Sequence, residues 1–528
     1  MSTSEPTCAN CGVRLGLLAR TPSILELHDS HFNILRSNHI LSPDHSQHTR
    51  TLLTEAEIEL SNYDTEITQL QAALDELVNK RVKLQQSIWE TQALLAPVRR
   101  IPSEILSQII ALSLPKKRHT EKSGAIALTH SQVCTYWRGV ALSMKGLWST
   151  IRLNLPPRKH SLAILQAYLT RSGNSPLTLI LCESQAVMLK QTSTANFIID
   201  LIAAESSRWK SVDFTLSPTL FNRLSPIRGK LKQLESLTLG VPYQVWTRDL
   251  LQSDFDMFTL APKLCKVHIV NPLEPTIIRI PWKQITHYAT SSAVQNITSL
   301  FRILPQLPNL VSLRIEPVYG TQSLERFPRS SVVLSSLKEL TVVGQPDSVS
   351  VGRLFSALSA PSVNSISLQY LPMKAPSFFR WLSESTSNIT TLDLCYLAEL
   401  TEFTLIQCLE ATPSLLNFTY KERVGEAIIW TNGVSQRLTI QTMMSSTMQS
   451  LLLPELKHMT LSFIRPELDV DDLLRMIESR WRARSFSDGV QAGLHSMQLE
   501  FRFPHTPSTS AAFTRLKGFE KEGLWFSS

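Results

Sequence analysis

The residues best suited to metal chemistry stand at the start of the chain: Cys8-Ala-Asn-Cys11-Gly12, followed by His28 and His31. A tetrahedral zinc site needs four nitrogen or sulfur ligands. Here the Cys-to-His gap and the His-x-x-His step miss the usual finger spacing. The pair reads as two free thiols in a flexible tail, and no metal site is expected. Group-transfer chemistry finds no footing either. There is no phosphate loop, no Gly-rich dinucleotide turn, no Gly-x-Ser-x-Gly elbow and no His-Glu-x-x-His helix. Only 17 glycines leave few loops able to approach a ligand closely. The chain therefore reads as non-catalytic and without a cofactor. Cys134, Cys182, Cys265, Cys395 and Cys408 fall in apolar patterns and read as core.

Composition narrows the class further. The 528 residues are 43% hydrophobic and 18% charged, enough apolar material for a sizeable core and too little charge for global disorder. The net charge of +8 comes from scattered Lys and Arg, so no nucleic-acid face is implied. Seven cysteines, far apart except for Cys8 and Cys11, favour a reducing compartment, cytoplasmic or nuclear. The N-terminus lacks the basic start and apolar run of a signal peptide, and no apolar stretch is long enough to span a membrane. Asn-x-Thr triplets at Asn296, Asn388 and Asn417 then count as chance matches.

Four kinds of segment must carry whatever the chain does. Residues 1–50 show little periodicity and read as a tail. Residues 51–96 carry a heptad pattern. With Leu53 at position a, the a series is Leu53, Leu60, Ile67, Leu74, Arg81, Ile88 and Leu95. The d series is Ala56, Tyr63, Leu70, Leu77, Leu84 and Thr91. An apolar seam sustained this far must bury itself on another helix. A parallel homodimer would set Glu59 against Asp64 of its partner and leave Arg81 in the seam, so the flanks do not encode a parallel pair. Packing on the chain itself, or an antiparallel or heteromeric coiled coil, stays open. Residues 97–152 hold short amphipathic helices around a basic insert, Lys116–Gly124.

From about residue 176 a Leu-x-x-Leu-x-Leu template recurs. It appears as Leu234-Leu237-Leu239, Leu264-Val267-Ile269, Leu310-Leu313-Ile315, Leu337-Leu340-Val342, Val363-Ile366-Leu368, Ile389-Leu392-Leu394, Leu415-Phe418-Tyr420, Leu456-Met459-Leu461 and Leu494-Met497-Leu499. Weaker copies start at Trp209 and Trp282. The central residues 313, 340, 366, 392 and 418 lie 27, 26, 26 and 26 apart, with helical patterns in the gaps. Each unit predicts a strand, a turn and a returning helix that can bury its apolar face only by stacking. The segment 153–503 is therefore expected to be an α/β solenoid, and 504–528 a C-terminal tail.

The segment 101–148 resembles the F-box motif through Ile101-Pro102-x-Glu104-Ile105-Leu106, Ile109, Leu128, Val133-Cys134-x-x-Trp137-Arg138 and Leu147-Trp148. It departs from the family by Ile101 in place of Leu and by the basic insert. The order of heptad helix, F-box and irregular leucine-rich repeats resembles a large class of fungal F-box proteins. The resemblance implies binding to the Skp-type adaptor of a cullin–RING ubiquitin ligase. Pro102, Ile105, Leu106, Ile109, Val133, Cys134 and Trp137 would form or support that surface. The repeats lack the Asn or Cys that usually follows the strand, with Val318, Gln345, Leu371 and Leu397 in its place. Residues between the anchors point away from the core. Lys266, His268, Arg314, Glu339 and Asp393 on that face are the expected contacts for an unknown target protein. Two functions are expected from this organisation: a substrate-recognition subunit of a Skp–cullin–F-box ligase, or a non-degradative scaffold assembled through the heptad helix.

Overall fold

A computed structural model of the chain describes residues 34–37, 40–113, 126–157, 160–183, 193–242, 255–270, 273, 275–291, 297–318, 331–344, 351–373, 376–384, 389–426, 428–440, 452–464, 468–482, 493–502, 507–521 and 525–527. The chain divides into two units, Met1–Leu106 and Ser107–Ser528. Cys8, Cys11, His28, His31, the basic insert, Asn296 and Asn388 lie outside the described residues.

In the first unit, helix α1 runs over Pro43–Leu95, eight residues earlier than the heptad pattern predicts. Pro43 sits in the first turn, where its missing N–H costs nothing, and Pro97 lies just past the end. No Gly or Pro interrupts the interior. Local pairs support it: Glu76 with Lys80 at 2.6 Å, and Gln86 Nε2 donating to Glu90 Oε1 at 3.0 Å, both one turn apart. At about 1.5 Å per residue the rod is ~80 Å long. No residue of α1 is buried. Among the described residues nothing buries the heptad seam, so all three readings of its partner stay open.

Helix α2 (Ser103–Leu112) begins directly after Pro102. The second unit continues with α3 (Ile126–Ser131), α4 (Thr135–Ser143) and a 3-10 turn, Lys145–Trp148, which feeds the first strand. Among the described residues the main sheet holds fourteen parallel strands in chain order. They are β1 (Thr150–Leu155), β2 (Leu177–Glu183), β3 (Trp209–Thr215), β4 (Ser236–Gly240), β5 (Lys266–Val270), β6 (His287–Ser291) and β7 (Ser312–Val318). Then follow β8 (Glu339–Gly344), β9 (Ser365–Gln369), β10 (Thr391–Cys395), β11 (Asn417–Lys421), β12 (His458–Phe463), β13 (Ser496–Phe501) and β14 (Trp525–Ser527). Helices such as α5 (Ser161–Ser172) and α6 (Ser193–Ala204) lie between the early strands, and Glu402–Glu410 and Val470–Arg482 between later ones.

The register explains the template. Val267, Tyr288, Leu313, Leu340, Ile366, Leu392, Phe418, Met459 and Met497 are successive lateral partners and form one buried column. A second column runs two residues further along each strand, through Ile269, Ile315, Val342, Leu368, Leu394, Tyr420, Leu461 and Leu499. The opening anchors Leu264, Leu310, Leu337, Val363, Ile389, Leu415, Leu456 and Leu494 are buried as well. A parallel sheet covered on both faces buries every strand residue. Here strands such as β9 and β11 alternate buried with half-buried, so among the described residues helices cover one face and leave the other open, as in a solenoid-like stack.

Three expectations need correction. The weak unit at Trp282 is out of register by three residues: Ile285, Tyr288 and Thr290 are its buried anchors, while Trp282 sits in a 3-10 turn. Residues 504–528 are not a bare tail. Helix Pro507–Lys521 and β14 extend the sheet, β14 pairing with β13. The cysteines are not all core: Cys182 is exposed, Cys134 and Cys265 are half-buried, and only Cys395 and Cys408 are buried. Where an Asn turn is missing, buried Leu371 and Leu397 fill the site. Tyr370 and Tyr396 just before them take left-handed backbone, φ 55° each, and stack at 4.9 Å between ring centroids.

Candidate protein-docking surfaces

Helix α2 is apolar on two sides. Leu106 and Ile110 are fully buried, while Ile105 and Ile109 on the neighbouring stripe are 46% and 42% exposed. Leu112 is 79% exposed. Spacings of i, i+4 and i+7 place Ile105, Ile109 and Leu112 along one face. A helix with only one side in its core would present polar residues there. Pro102 is exposed at the helix start. Leu106 thus supports the surface from inside and cannot contact a partner.

The remaining motif residues follow from the turn between α3 and α4. Val133 is 57% exposed, Cys134 is half-buried at the N-cap of α4, and Trp137 is half-buried one turn on. Trp137 stacks on His130, with centroids 5.9 Å apart. Its indole N–H is buried and finds no hydrogen-bond partner among the described residues. His130 Nε2 in turn hydrogen-bonds Ser113 Oγ at 2.8 Å, fixing the end of α2 beside α3. Arg138 Nε donates to the Ser131 carbonyl at 2.8 Å and closes the α3–α4 turn.

Trp148 couples this helical module to the sheet. It is fully buried and its indole N–H donates to the Ala141 carbonyl at 2.8 Å, bracing α4. Its ring meets Tyr168 of α5 edge-on at 5.0 Å, and the Arg171 guanidinium lies 4.4 Å above it. Sequence reading places Trp148 in the motif without showing that it is also the first core residue of the stack.

On the open sheet face, Lys266 and Glu339 belong to one lateral row, with His287 and Ser312 between them. His268, Arg314 and Asp393 belong to the next row, two residues along. At about 4.8 Å between neighbouring strands, Arg314 and Asp393 are ~14 Å apart. Lys266, Arg314 and Glu339 are exposed, and His268 and Asp393 half-buried. The basic end is wired together. His268 Nε2 hydrogen-bonds Ser291 Oγ at 2.8 Å, Ser291 Oγ donates to Glu316 Oε2 at 3.2 Å, and Arg314 pairs with Glu316. Burial, then the Lys266 charge, hold His287 below the usual imidazole range. His287 escapes a sequence reading because the Trp282 unit is framed three residues early, while Ser291 and Glu316 lie beyond the last anchor of their units.

Among the described residues no cluster of three His, Cys, Asp or Glu side chains could hold a metal. Nor is any described helix long and apolar enough to cross a membrane. Burial pushes the Cys408 thiol up to about 12, and burial with the Asp393 charge pushes Cys395 up to about 11. Neither is a nucleophile at neutral pH. No family model matches the chain. No curated protein matches it either.

Proposed function

We propose that this chain is the substrate-recognition subunit of a Skp–cullin–F-box ubiquitin ligase. In this reading residues 101–148 are an F-box, and the stacked units are irregular leucine-rich repeats. The observation that carries the reading is the outward apolar stripe Ile105, Ile109 and Leu112 on a helix whose inward stripe is already buried. Such a stripe suits a groove on a partner protein. Pro102 and Val133 are the other exposed residues of the motif, while Leu106 is buried and Trp137 half-buried. The open sheet face, with Lys266, His268, Arg314, Glu339 and Asp393, holds the target protein. The chain performs no bond chemistry. It raises the effective concentration of a target lysine near a charged enzyme elsewhere in the assembly.

Trp148 supports the reading, since it joins α4 to α5 through a buried hydrogen bond and an edge-on ring contact. Co-purification of the full chain with a Skp-type adaptor tests it. Wild type retains the adaptor, and Pro102→Ala with Ile105→Ala releases it while far-ultraviolet circular dichroism stays unchanged. Failure of wild type to retain any adaptor leaves the second reading, a non-degradative scaffold. The exposed seam of α1 is the observation that favours that alternative.

A further inference from the structure

Helix α1 carries a second apolar surface that neither docking site uses. Leu53, Leu60, Ile67, Leu74, Leu77, Leu84 and Ile88 are all exposed along the heptad seam. An isolated helix with such a seam is incomplete, and the charge pattern says what completes it. Residues 53–70 contain Glu55, Glu57, Glu59, Asp64 and Glu66 and no Lys or Arg. Lys80, Arg81 and Lys83 lie in the other half. Residues 53–70 are thus acidic, while residues 71–95 balance Asp75, Glu76 and Glu90 against a basic cluster at Lys80, Arg81 and Lys83.

A parallel partner of the same sequence places Arg81 against Arg81 in the seam and Glu59 beside Asp64. Both contacts are repulsive. Reversing one helix removes both. With Leu74 opposite Leu70 of the second helix, Leu60 meets Leu84, Ile67 meets Leu77, and Arg81 meets Tyr63. The Tyr63 hydroxyl already donates to Glu59 Oε1 at 3.1 Å, so Arg81 would find an aromatic face with a carboxylate beside it. Glu66 and Lys80 become flanking partners, and two-fold symmetry makes every one of these contacts twice.

We propose that α1 pairs antiparallel with α1 of a second copy of this chain, Arg81 of each copy setting the register against Tyr63 and Glu59 of the other. The proposal is independent of the ligase reading, because it uses no residue of the adaptor or target surface. In such a pair the two chains leave their rods at opposite ends.

Light scattering on the full chain tests it, with two charge-reversed variants. One is Lys80→Glu with Arg81→Glu, and the other is Glu59→Lys with Glu66→Lys. Wild type elutes as a dimer at micromolar concentration. Each variant alone dimerises about tenfold or more weakly. Mixed one to one, they recover the dimer, because every reversed contact then meets its opposite. A monomeric wild type overturns the proposal. So does a Glu59→Lys, Glu66→Lys variant that dimerises more tightly than wild type. That is the outcome for parallel pairing, where a positive charge in place of Glu59 would relieve the clash with Asp64. Circular dichroism of each variant, retaining wild-type helix content, excludes misfolding as the cause of a lost dimer.

Discussion

The two stripes of α2 make opposite demands on the same ten residues, and four alanine substitutions separate them. Leu106 and Ile110 are at 0% exposure. Truncating a fully buried Leu or Ile to Ala removes its transfer free energy and leaves a cavity, about 2–5 kcal/mol each. Ile105 and Ile109 already expose nearly half of their surface. Full burial of such a side chain is worth about 1.5–3 kcal/mol, so losing the half that is covered costs about 0.8–1.7 kcal/mol each at most. Urea unfolding followed by tryptophan fluorescence reads the difference, since Trp137 and Trp148 report on this module. Leu106→Ala and Ile110→Ala lower the midpoint about two- to threefold more than Ile105→Ala and Ile109→Ala. If the outward pair proves as costly as the inward pair, those isoleucines are core residues and no docking face exists on α2.

Two further predictions concern the sheet unit. Arg480 is 2% exposed and has no carboxylate partner among the described residues; it donates to the carbonyls of Leu438, Leu453 and Leu452 at 2.6, 3.0 and 2.6 Å. Arg480→Met strands three acceptors at roughly 1–3 kcal/mol each while relieving a buried cation, so thermal unfolding should report a net loss of about 2–4 kcal/mol. An unchanged melting temperature would mean that water reaches those carbonyls. Cys408, pushed up to about 12 in the fold from an ordinary value of 9, binds a proton that the unfolded chain has lost above pH 9. The difference lowers folding stability as pH rises from 9 towards 12, by about 1.4 kcal/mol per pH unit, and leaves it untouched below 9. Cys408→Ala should therefore flatten the alkaline fall of the urea midpoint, and an identical slope in both proteins would contradict the burial of this thiol.

The stacked sheet was legible because its signal is local and repeated. Three apolar anchors at fixed spacing, opened in several units by a proline, define a strand wherever they fall, and all nine strong copies have their anchors buried. The signal failed where chemistry departs from it. Thr290 stands as a buried anchor of β6, so an apolar template settles on Trp282 instead. β14 is three residues long and carries too little pattern to read. The outward face of α2 could be seen as apolar but not as outward, since Ile105 and Leu106 are equally hydrophobic and only packing tells them apart. The wiring of His268 through Ser291 to Glu316 depends on lateral register between strands more than twenty residues apart in sequence. No local spacing encodes that.

Hydrogen exchange of the full chain, with and without a purified Skp-type adaptor, addresses the docking surface most directly. The account predicts slowed exchange over 103–112 and over 133–143 when the adaptor is present, with β8 to β11 unchanged. Identical exchange over 103–112 in the two samples, or protection confined to the open sheet face, would contradict it.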